Sequence, residues 1–498
     1  MAIKLALIIV FFVVTIFIGV MTRKHSKSVA GFVLGGRTVG PWLSAFSYGT
    51  SYFSAVVFVG YAGQFGWKYG MAAVWIGIGN ALVGSLLAWV VLARRARTMS
   101  HALDSSTMPD FFGKRFGSTP LKVFASAIVF VFLIPYTASI YKGLSTLFGM
   151  AFDVPYWVCV LVMAGITAIY VILGGYMATA VNDFVQGIIM LVGIVAVIWF
   201  VMNEQGGFFS AITTLSQVPA DSGAVIPANG VFTSMLGPDP VNLVGVIILT
   251  SVGTWGLPQM VTKFYAIKDE KSIKIGTTIS TVFAVIIAGG CYLLGGFGRL
   301  FDSEFIHGSN GSIIFDNIMP LMMSKLPDVL LGVVVVLVLS ASMSTLSALV
   351  LSSSSTLTLD LIGGVIKKNM TDKTKVFVMR ILVVVFILLS VVLALNPPTF
   401  IAQLMGVSWG ALAGSFLAPF LFSLYSKRSS KVGVWACFIF GVGFTLANMV
   451  FHFFASPINA GAFTMVASFA IMPLFGLLGK PADKDQTDKL FEEFKEKA

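Results

Sequence analysis

The densest chemistry in the sequence is a set of hydroxyls. Residues 340–347 read Ser-Ala-Ser-Met-Ser-Thr-Leu-Ser inside an otherwise apolar run, and Ser352, Ser353, Ser354 and Ser355 follow shortly after. Neutral hydroxyls carry no charge, but several of them with backbone carbonyls make a hard-oxygen cage that replaces water around a small alkali cation. The competing fate of a helical hydroxyl is to bond back to the carbonyl one turn earlier, and that is the expectation for most of the later serine cluster. Two further segments put polar residues and glycine into apolar surroundings: residues 47–54, Ser-Tyr-Gly-Thr-Ser-Tyr-Phe-Ser, and residues 253–259, Gly-Thr-Trp-Gly-Leu-Pro-Gln. Where a helix breaks at membrane depth, its freed carbonyls and amides face a cavity and bind solutes or ions.

Intramembrane carboxylates are costly and tend to be functional. Asp183, in Asn-Asp-Phe-Val-Gln-Gly, is assigned to an ion pathway or gate. Asp269 and Asp360 fall near helix ends and are expected to be solvated, and Lys142 and Lys263, near run ends, are expected to snorkel. His25, His101, His307 and His452 lie in loops or at edges, which argues against a buried histidine proton relay. Cys159, Cys291 and Cys437 sit far apart in apolar runs, as packing residues rather than a disulfide framework or metal cluster.

The elements that must position these groups are membrane helices. The chain has 498 residues, of which 57% are hydrophobic and 11% charged, and its mean hydropathy is +0.93; a soluble chain carries about 25% charged residues. A spanning helix needs about 20 apolar residues. About thirteen such runs begin near Leu5, Trp42, Ala72, Val123, Val158, Ala178, Val241, Thr277, Val329, Val376, Phe400, Val432 and Phe463. They are continuous, unlike the alternating strands of a barrel. Residues 1–480 therefore form one all-α transmembrane domain, with a tail at 481–498. The first run has no cleavage site and reads as a retained helix.

The net charge of +11 does not point to nucleic acid, because the basic residues fall in alternate loops. Arg23, Lys24, Lys27 and Arg37 follow the first run, Arg94, Arg95 and Arg97 the third, and Lys268, Lys271 and Lys274 the seventh. Lys367, Lys368, Lys373 and Lys375 follow the ninth, and Lys427, Arg428 and Lys431 the eleventh, whereas residues 205–240 contain no Lys or Arg. The positive-inside rule then puts the amino terminus outside and the carboxyl terminus in the cytoplasm of a cell with an inner membrane. The two broken runs, second and seventh, are five apart, the spacing of two inverted five-helix repeats covering approximately residues 40–203 and 241–425.

These segments together resemble the sodium:solute symporter family, and within it the sodium/proline symporters. The resemblance runs from Leu-Gly-Gly-Arg-Thr-Val-Gly-Pro-Trp at 34–42 through the broken second run, Gly174-Gly175, Asp183 to Gly187, Gly256 to Ala266 and Ala341 to Ser347. It implies a five-plus-five inverted-repeat, LeuT-like core with sodium as the coupling ion and no organic cofactor. Carried onto this chain, it implies sodium held by the carbonyls of Thr50, Phe53 and Ala341 and the hydroxyls of Ser344 and Thr345. Some members hold a second sodium with a carboxylate and hydroxyls matching Asp183 and Ser347. Here the next position is Ala348, without a side-chain oxygen, so one coupled sodium is expected. Proline symporters carry a carboxylate where this chain has Tyr52, and aromatic residues where it has Thr250 and Thr254, although Pro258 is kept.

The expected function is alternating-access uptake of a small organic solute, proline foremost, with a monocarboxylate or a pantothenate-like acid as the alternative. The expected pocket residues are Tyr48, Ser51, Tyr52, Tyr136, Thr254, Trp255, Pro258 and Gln259. The partners are that solute and the bilayer, with no nucleic acid and no obligatory protein partner evident. The sequence offers no phosphate-binding loop for a primary pump and no H-E-x-x-H motif or Ser/His pair for an intramembrane enzyme. The paired broken helices favour a carrier over a channel, and the tail carries no kinase domain of the kind fused in sensor relatives.

Overall fold

The computed structural model describes residues 2–152, 154–222, 224–308 and 311–496. Among these the protein is helical, with isolated backbone bridges and no strand. The helices that matter below are α1 (Ala2–Thr22), α2 (Pro41–Tyr52), α3 (Ala62–Tyr69), α4 (Thr119–Phe152), α5 (Tyr156–Glu204), α6 (Pro240–Ile247), α7 (Pro258–Tyr265) and α8 (Glu270–Gly296). They are followed by α9 (Asp328–Thr356), α10 (Asp372–Leu395), α11 (Ile401–Tyr425), α12 (Lys431–Phe451), α13 (Pro457–Gly476) and α14 (Lys484–Glu496).

Length and apolarity alone give 10 membrane-crossing helices among the described residues, or 11 with the bent pair Pro240–Gly256 and Pro258–Tyr265 as one. Two of these helices, Val56–Ala102 and Tyr156–Glu204, are 47 and 49 residues long, about twice what a bilayer requires. Each contains a glycine in a conformation that L side chains rarely adopt: Gly70 at φ 58° and ψ −134°, and Gly175 at φ 55° and ψ −144°. Division at those two glycines gives 11 + 2 = 13 crossings, which agrees with the thirteen runs of the sequence. The agreement is approximate, since the ends of such helices shift by a residue or two.

The second and seventh crossings are broken. α2 ends at Phe53 (φ −103°, ψ 95°), and a π-helical stretch, Val56–Tyr61, leads into α3. The seventh crossing, starting as α6, is bent by 45° at Leu257 (φ −87°, ψ 122°) before α7. Pro258 occupies the first turn of α7, where its missing N–H has no helical partner to lose.

Close helix contact is built on small residues, as expected where lipid competes for apolar surface. A Cβ on Gly66 would lie 2.0 Å from the Gly295 carbonyl oxygen, and one on Gly295 would lie 2.1 Å from that of Ala62, so α3 and α8 touch backbone to backbone. α9 is the most enclosed long helix. It packs on α1, α4 and α5, and every residue from Val334 to Thr356 is buried. α10 and α12, by contrast, turn much of their apolar surface outward, as lipid-facing helices do. The described part of the tail, α14, folds back on the basic face, where Thr487 accepts from the buried Arg115 guanidinium at 2.8 Å.

Candidate functional site

The break in α2 and the hydroxyls of α9 meet in the centre of the fold. The Ser344 hydroxyl donates to the Thr50 carbonyl at 3.1 Å and reaches that of Ala341 at 3.1 Å. The Thr345 hydroxyl lies 3.2 Å from the Thr50 carbonyl, 3.4 Å from that of Ser51 and 3.2 Å from that of Ala341. All of these residues are buried. α9 continues as an unbroken helix here, so its hydroxyls project sideways, while Thr50 and Ser51 occupy the last turn of α2, whose carbonyls have no following helical amide. Phe53 and Ala341 line the same small cavity, about 10 Å³ in volume, with Ser54, Met190 and Leu337. Of the residues assigned to the sodium shell, then, four share direct contacts, Phe53 stands beside them, and Ser51 adds a carbonyl not expected from the sequence.

One turn below, the residues are charged. Asp183 of α5 is fully buried. Its Oδ2 accepts from the Ser47 hydroxyl of α2 at 2.6 Å, and the Lys263 ammonium of α7 donates to Ser47 at 2.7 Å and stands 3.6 Å from Asp183. Lys263 does not snorkel: its side chain is 4% exposed and lies 5.2 Å from the centre of the Tyr176 ring. The expectation failed because the tip of α7 is covered by other helices, leaving the stem no route to water. Ser347 donates to the Ser344 carbonyl at 2.9 Å.

The residues expected to line a solute pocket divide into two groups. Tyr52 donates to the Thr250 carbonyl at 2.5 Å, which joins the two broken helices. It stacks on Phe53 and faces Trp409 of α11, and Trp409 in turn packs edge-on to Tyr136 at 5.8 Å. Ser51 Oγ and Asn80 Nδ2 are buried nearby without a hydrogen-bond partner among the described residues. Tyr48 and Thr254 belong lower: both hydroxyls converge on the Gly84 carbonyl, at 2.8 and 3.3 Å, and Tyr48 is packed against Trp89 and Phe264. Trp255, half-buried, donates to the Val83 carbonyl at 3.0 Å. Gln259, its amide unpartnered, lines a cavity of about 20 Å³ with Tyr176, Lys263 and Ala348. Trp409 and Asn80 were missed because a single tryptophan or asparagine in an apolar run carries no pattern of its own.

The two ends of the molecule differ. On the side of residues 205–240 a cavity of about 570 Å³ is lined by Gln64, Lys68, Asp239, Asn242, Gln403 and Asn459 among others. Arg299 braces its rim, pairing with Asp221 and donating to the Trp67 carbonyl at 2.7 Å. The basic side is tied by contacts between the two repeats. Val39 pairs with the Ala266–Lys268 strip through backbone bonds of 3.2 and 3.0 Å, and Arg97 holds the Ile267 carbonyl at 2.8 Å.

Asp360 also departs from expectation. It is fully buried, accepts from Thr107 at 2.6 Å and faces Lys122 at 3.4 Å, while Lys122 is bonded to Asp110 at 2.7 Å. A π-helical stretch, Leu357–Ile366, turns it inward. Lys142 likewise pairs with Asp316 at 2.9 Å and with the Thr399 carbonyl at 2.9 Å instead of reaching outward. Asp269 is half-buried at the head of α8. It caps α8, and the hydrogen bonds from Ser272, side chain and backbone N–H, hold its carboxyl below the usual range. The three cysteines are buried and free.

Residues 32–441 match the Sodium:solute symporter family. The chain is similar to the osmoregulated proline transporter OpuE of Bacillus subtilis, with 27% identity over 94% of this chain and 92% of that one. It is also similar to sodium/proline symporter 2 of Staphylococcus saprophyticus, with 31% identity over 87% of this chain and 84% of that one. Among solved structures, a Na+-coupled sialic acid symporter in a substrate-bound outward-open state has the same fold, with a TM-score of 0.78 at 17% identity, covering 97% of this chain and 98% of the other. A nucleobase-cation-symport-1 family transporter aligns with a TM-score of 0.51 at 12% identity, covering 94% and 99%.

Proposed function

The chain belongs to the sodium:solute symporter family, and from that premise we propose that it carries proline or a closely similar zwitterion into the cell with one sodium ion. The observation that carries the ion site is the convergence of the Ser344 and Thr345 hydroxyls on the carbonyls of Thr50, Ser51 and Ala341 at 3.1–3.4 Å. Sodium has nearly the radius of calcium, whose oxygens stand about 2.3–2.6 Å away, so adjacent ligands around such an ion are about 3.3–3.7 Å apart. The cluster needs only small outward shifts and rotation of two hydroxyl protons. Phe53 supplies a sixth oxygen from the backbone beyond the break.

Sodium bound here clamps the end of α2 to α9, and α2 carries Ser51 and Tyr52 into the solute pocket. The ion thereby shapes the site that the solute enters, which is coupling without covalent chemistry. Solute arrives through the 570 Å³ vestibule. It settles among Ser51, Tyr52, Tyr136 and Trp409, with Thr254 and Tyr48 forming the floor. Trp255, Pro258 and Gln259 shape the seventh crossing where it bends. One sodium crossing 100 mV contributes about 2.3 kcal/mol, to which its concentration gradient adds. The vestibule faces outside and the basic loops face the cytoplasm, so the amino terminus is external. The two broken crossings anchor repeats at about 40–203 and 241–425.

Tyr52, Thr250 and Thr254 alter the pocket relative to proline symporters, so the test is uptake of labelled proline into proteoliposomes with amino acids and monocarboxylates as competitors. Accumulation driven by an inward sodium gradient, and not by potassium or protons, is the expected result. Proton-driven accumulation would reject sodium as the coupling ion, and competition by a monocarboxylate alone would reject the zwitterion.

A further inference from the structure

Arg115 is a buried cation that pairs with no carboxylate among the described residues. It ends the short helix Met108–Arg115, between the third crossing and α4. Its guanidinium donates to the Thr487 hydroxyl of α14 at 2.8 Å, while Nε and Nη2 have no partner among the described residues. A cation held away from water by one neutral oxygen is unfavourable. The neighbouring carbonyl, that of Lys114, accepts from Gln486 of α14 at 3.1 Å.

The rest of α14 grips other parts of the same face. The residues leading into it pair with the loop between α11 and α12, where the Ala482 N–H donates to the Ser429 carbonyl at 3.1 Å and Pro481 faces Ser430. Asp488 pairs with Lys427 at 2.5 Å, Leu490 is buried, and the centre of the Phe491 ring lies 5.7 Å from the Lys427 ammonium. α14 also packs on the helix Arg94–Ala102, at the end of the third crossing. That helix carries Arg97, which holds the Ile267 carbonyl at 2.8 Å. One short helix therefore joins the end of the third crossing, the segment leading into α4 and the loop after α11.

We propose that α14 is an autoinhibitory strap: docked, it holds residues 94–102, Arg115 and residues 427–430 together and keeps the basic side shut, and it must lift before that side opens. This rests on the alternating-access reading given above but not on the identity of the solute or of the ion. Burial of Leu490 and the pair between Asp488 and Lys427 favour docking. Arg115 opposes it, because water satisfies the rest of its guanidinium only when α14 leaves. The opposing contributions make the strap releasable.

The test uses the purified full-length protein carrying Ser352→Cys, without sodium or solute. Ser352 lines the cavity of about 20 Å³ with Thr107 and Lys263, and a maleimide reaches it when the basic side opens. Background from the three buried native cysteines is measured in the protein without that change. Trypsin cleavage after Lys484 and Lys489 reports release of the tail in the same samples. Thr487→Ala removes the oxygen to which Arg115 donates and should raise the labelling rate about 10-fold or more. Leu490→Asp should do the same, since docking would then bury a carboxylate, whereas Thr487→Ser should label at the wild-type rate. Lys427→Asp and Asp488→Lys should each raise labelling about 2- to 5-fold and together restore it. A released tail with unchanged labelling overturns the proposal. So does a tail that stays protected in both Thr487→Ala and Leu490→Asp, or one cut as fast in the wild type as in those variants. Failure of the wild type to take up any solute would count against the carrier reading alone.

Discussion

Two polar clusters lie one turn apart on α2, and they solve opposite problems. At Thr50 the oxygens are all neutral: carbonyls and the hydroxyls of α9, which satisfy one another at 3.1–3.4 Å. At Ser47 the oxygens belong to a carboxylate already matched by an ammonium. A mobile ion can leave the first without stranding a charge, because the hydroxyl protons turn back to the carbonyls. It could not leave the second so easily, since a bare carboxylate in a dry interior is expensive. Reversible binding therefore belongs with neutral oxygens, and the permanent charge is paired permanently.

Removing one charge from the inner pair should have the largest effect. Asp183→Asn strands the Lys263 ammonium, and breaking a buried pair in this way costs about 3–5 kcal/mol, visible as a lowered thermal-unfolding midpoint in detergent. The double change Asp183→Asn with Lys263→Gln should recover most of that loss. No recovery would mean that the pair is not what balances the site.

The neutral site should respond in function and much less in stability. Ser344→Ala or Thr345→Ala deletes one ligand to a charged group, about 1.5–3 kcal/mol, so the sodium concentration for half-maximal uptake should rise about 10- to 100-fold with little change in the unfolding midpoint. Unchanged sodium dependence in both variants would sink the proposed shell.

Effects smaller still are expected at the solute pocket. Tyr52→Phe removes the 2.5 Å bond to the Thr250 carbonyl, about 0.5–1.5 kcal/mol for a neutral hydrogen bond, and should raise the half-saturation constant for solute a few-fold. Tyr136→Phe, which removes a hydroxyl without a partner among the described residues, separates solute contact from packing. A change in uptake without a change in stability assigns that hydroxyl to the solute.

Much of the neutral site was legible in the sequence. The run Ser340 to Ser347 pairs hydroxyl density with apolar surroundings, and the glycine and proline of the broken segments punctuate otherwise unbroken runs, so each announces itself locally. Of the later serines, Ser354 and Ser355 bond back to the Leu351 carbonyl as expected, whereas Ser353 Oγ is buried without a partner among the described residues. The charged site was only half legible. Asp183 stood out as an intramembrane carboxylate, but its partner Lys263 is 80 residues away and sat in a place where lysines ordinarily reach water. Asp360 failed for the same reason, since nothing near it in sequence shows that Thr107 and Lys122 enclose it.

The sequence by itself determined the solvent, the number of crossings and the places where helices break, because those follow from the length of apolar runs and from glycine and proline, which act within a few residues. It also supplied the types of oxygen available to a cation. The tertiary structure decided which charges are buried and with whom, since a charged side chain near a helix end is solvated or enclosed according to what packs over that end. It decided too that Trp409 packs between Tyr52 and Tyr136, that Asn80 accepts from Ser251, and that Tyr48 and Thr254 share one carbonyl. Such groupings depend on crossing angles and on glycine-mediated contacts such as Gly66 against Gly295, where two backbones touch because neither has a side chain in the way.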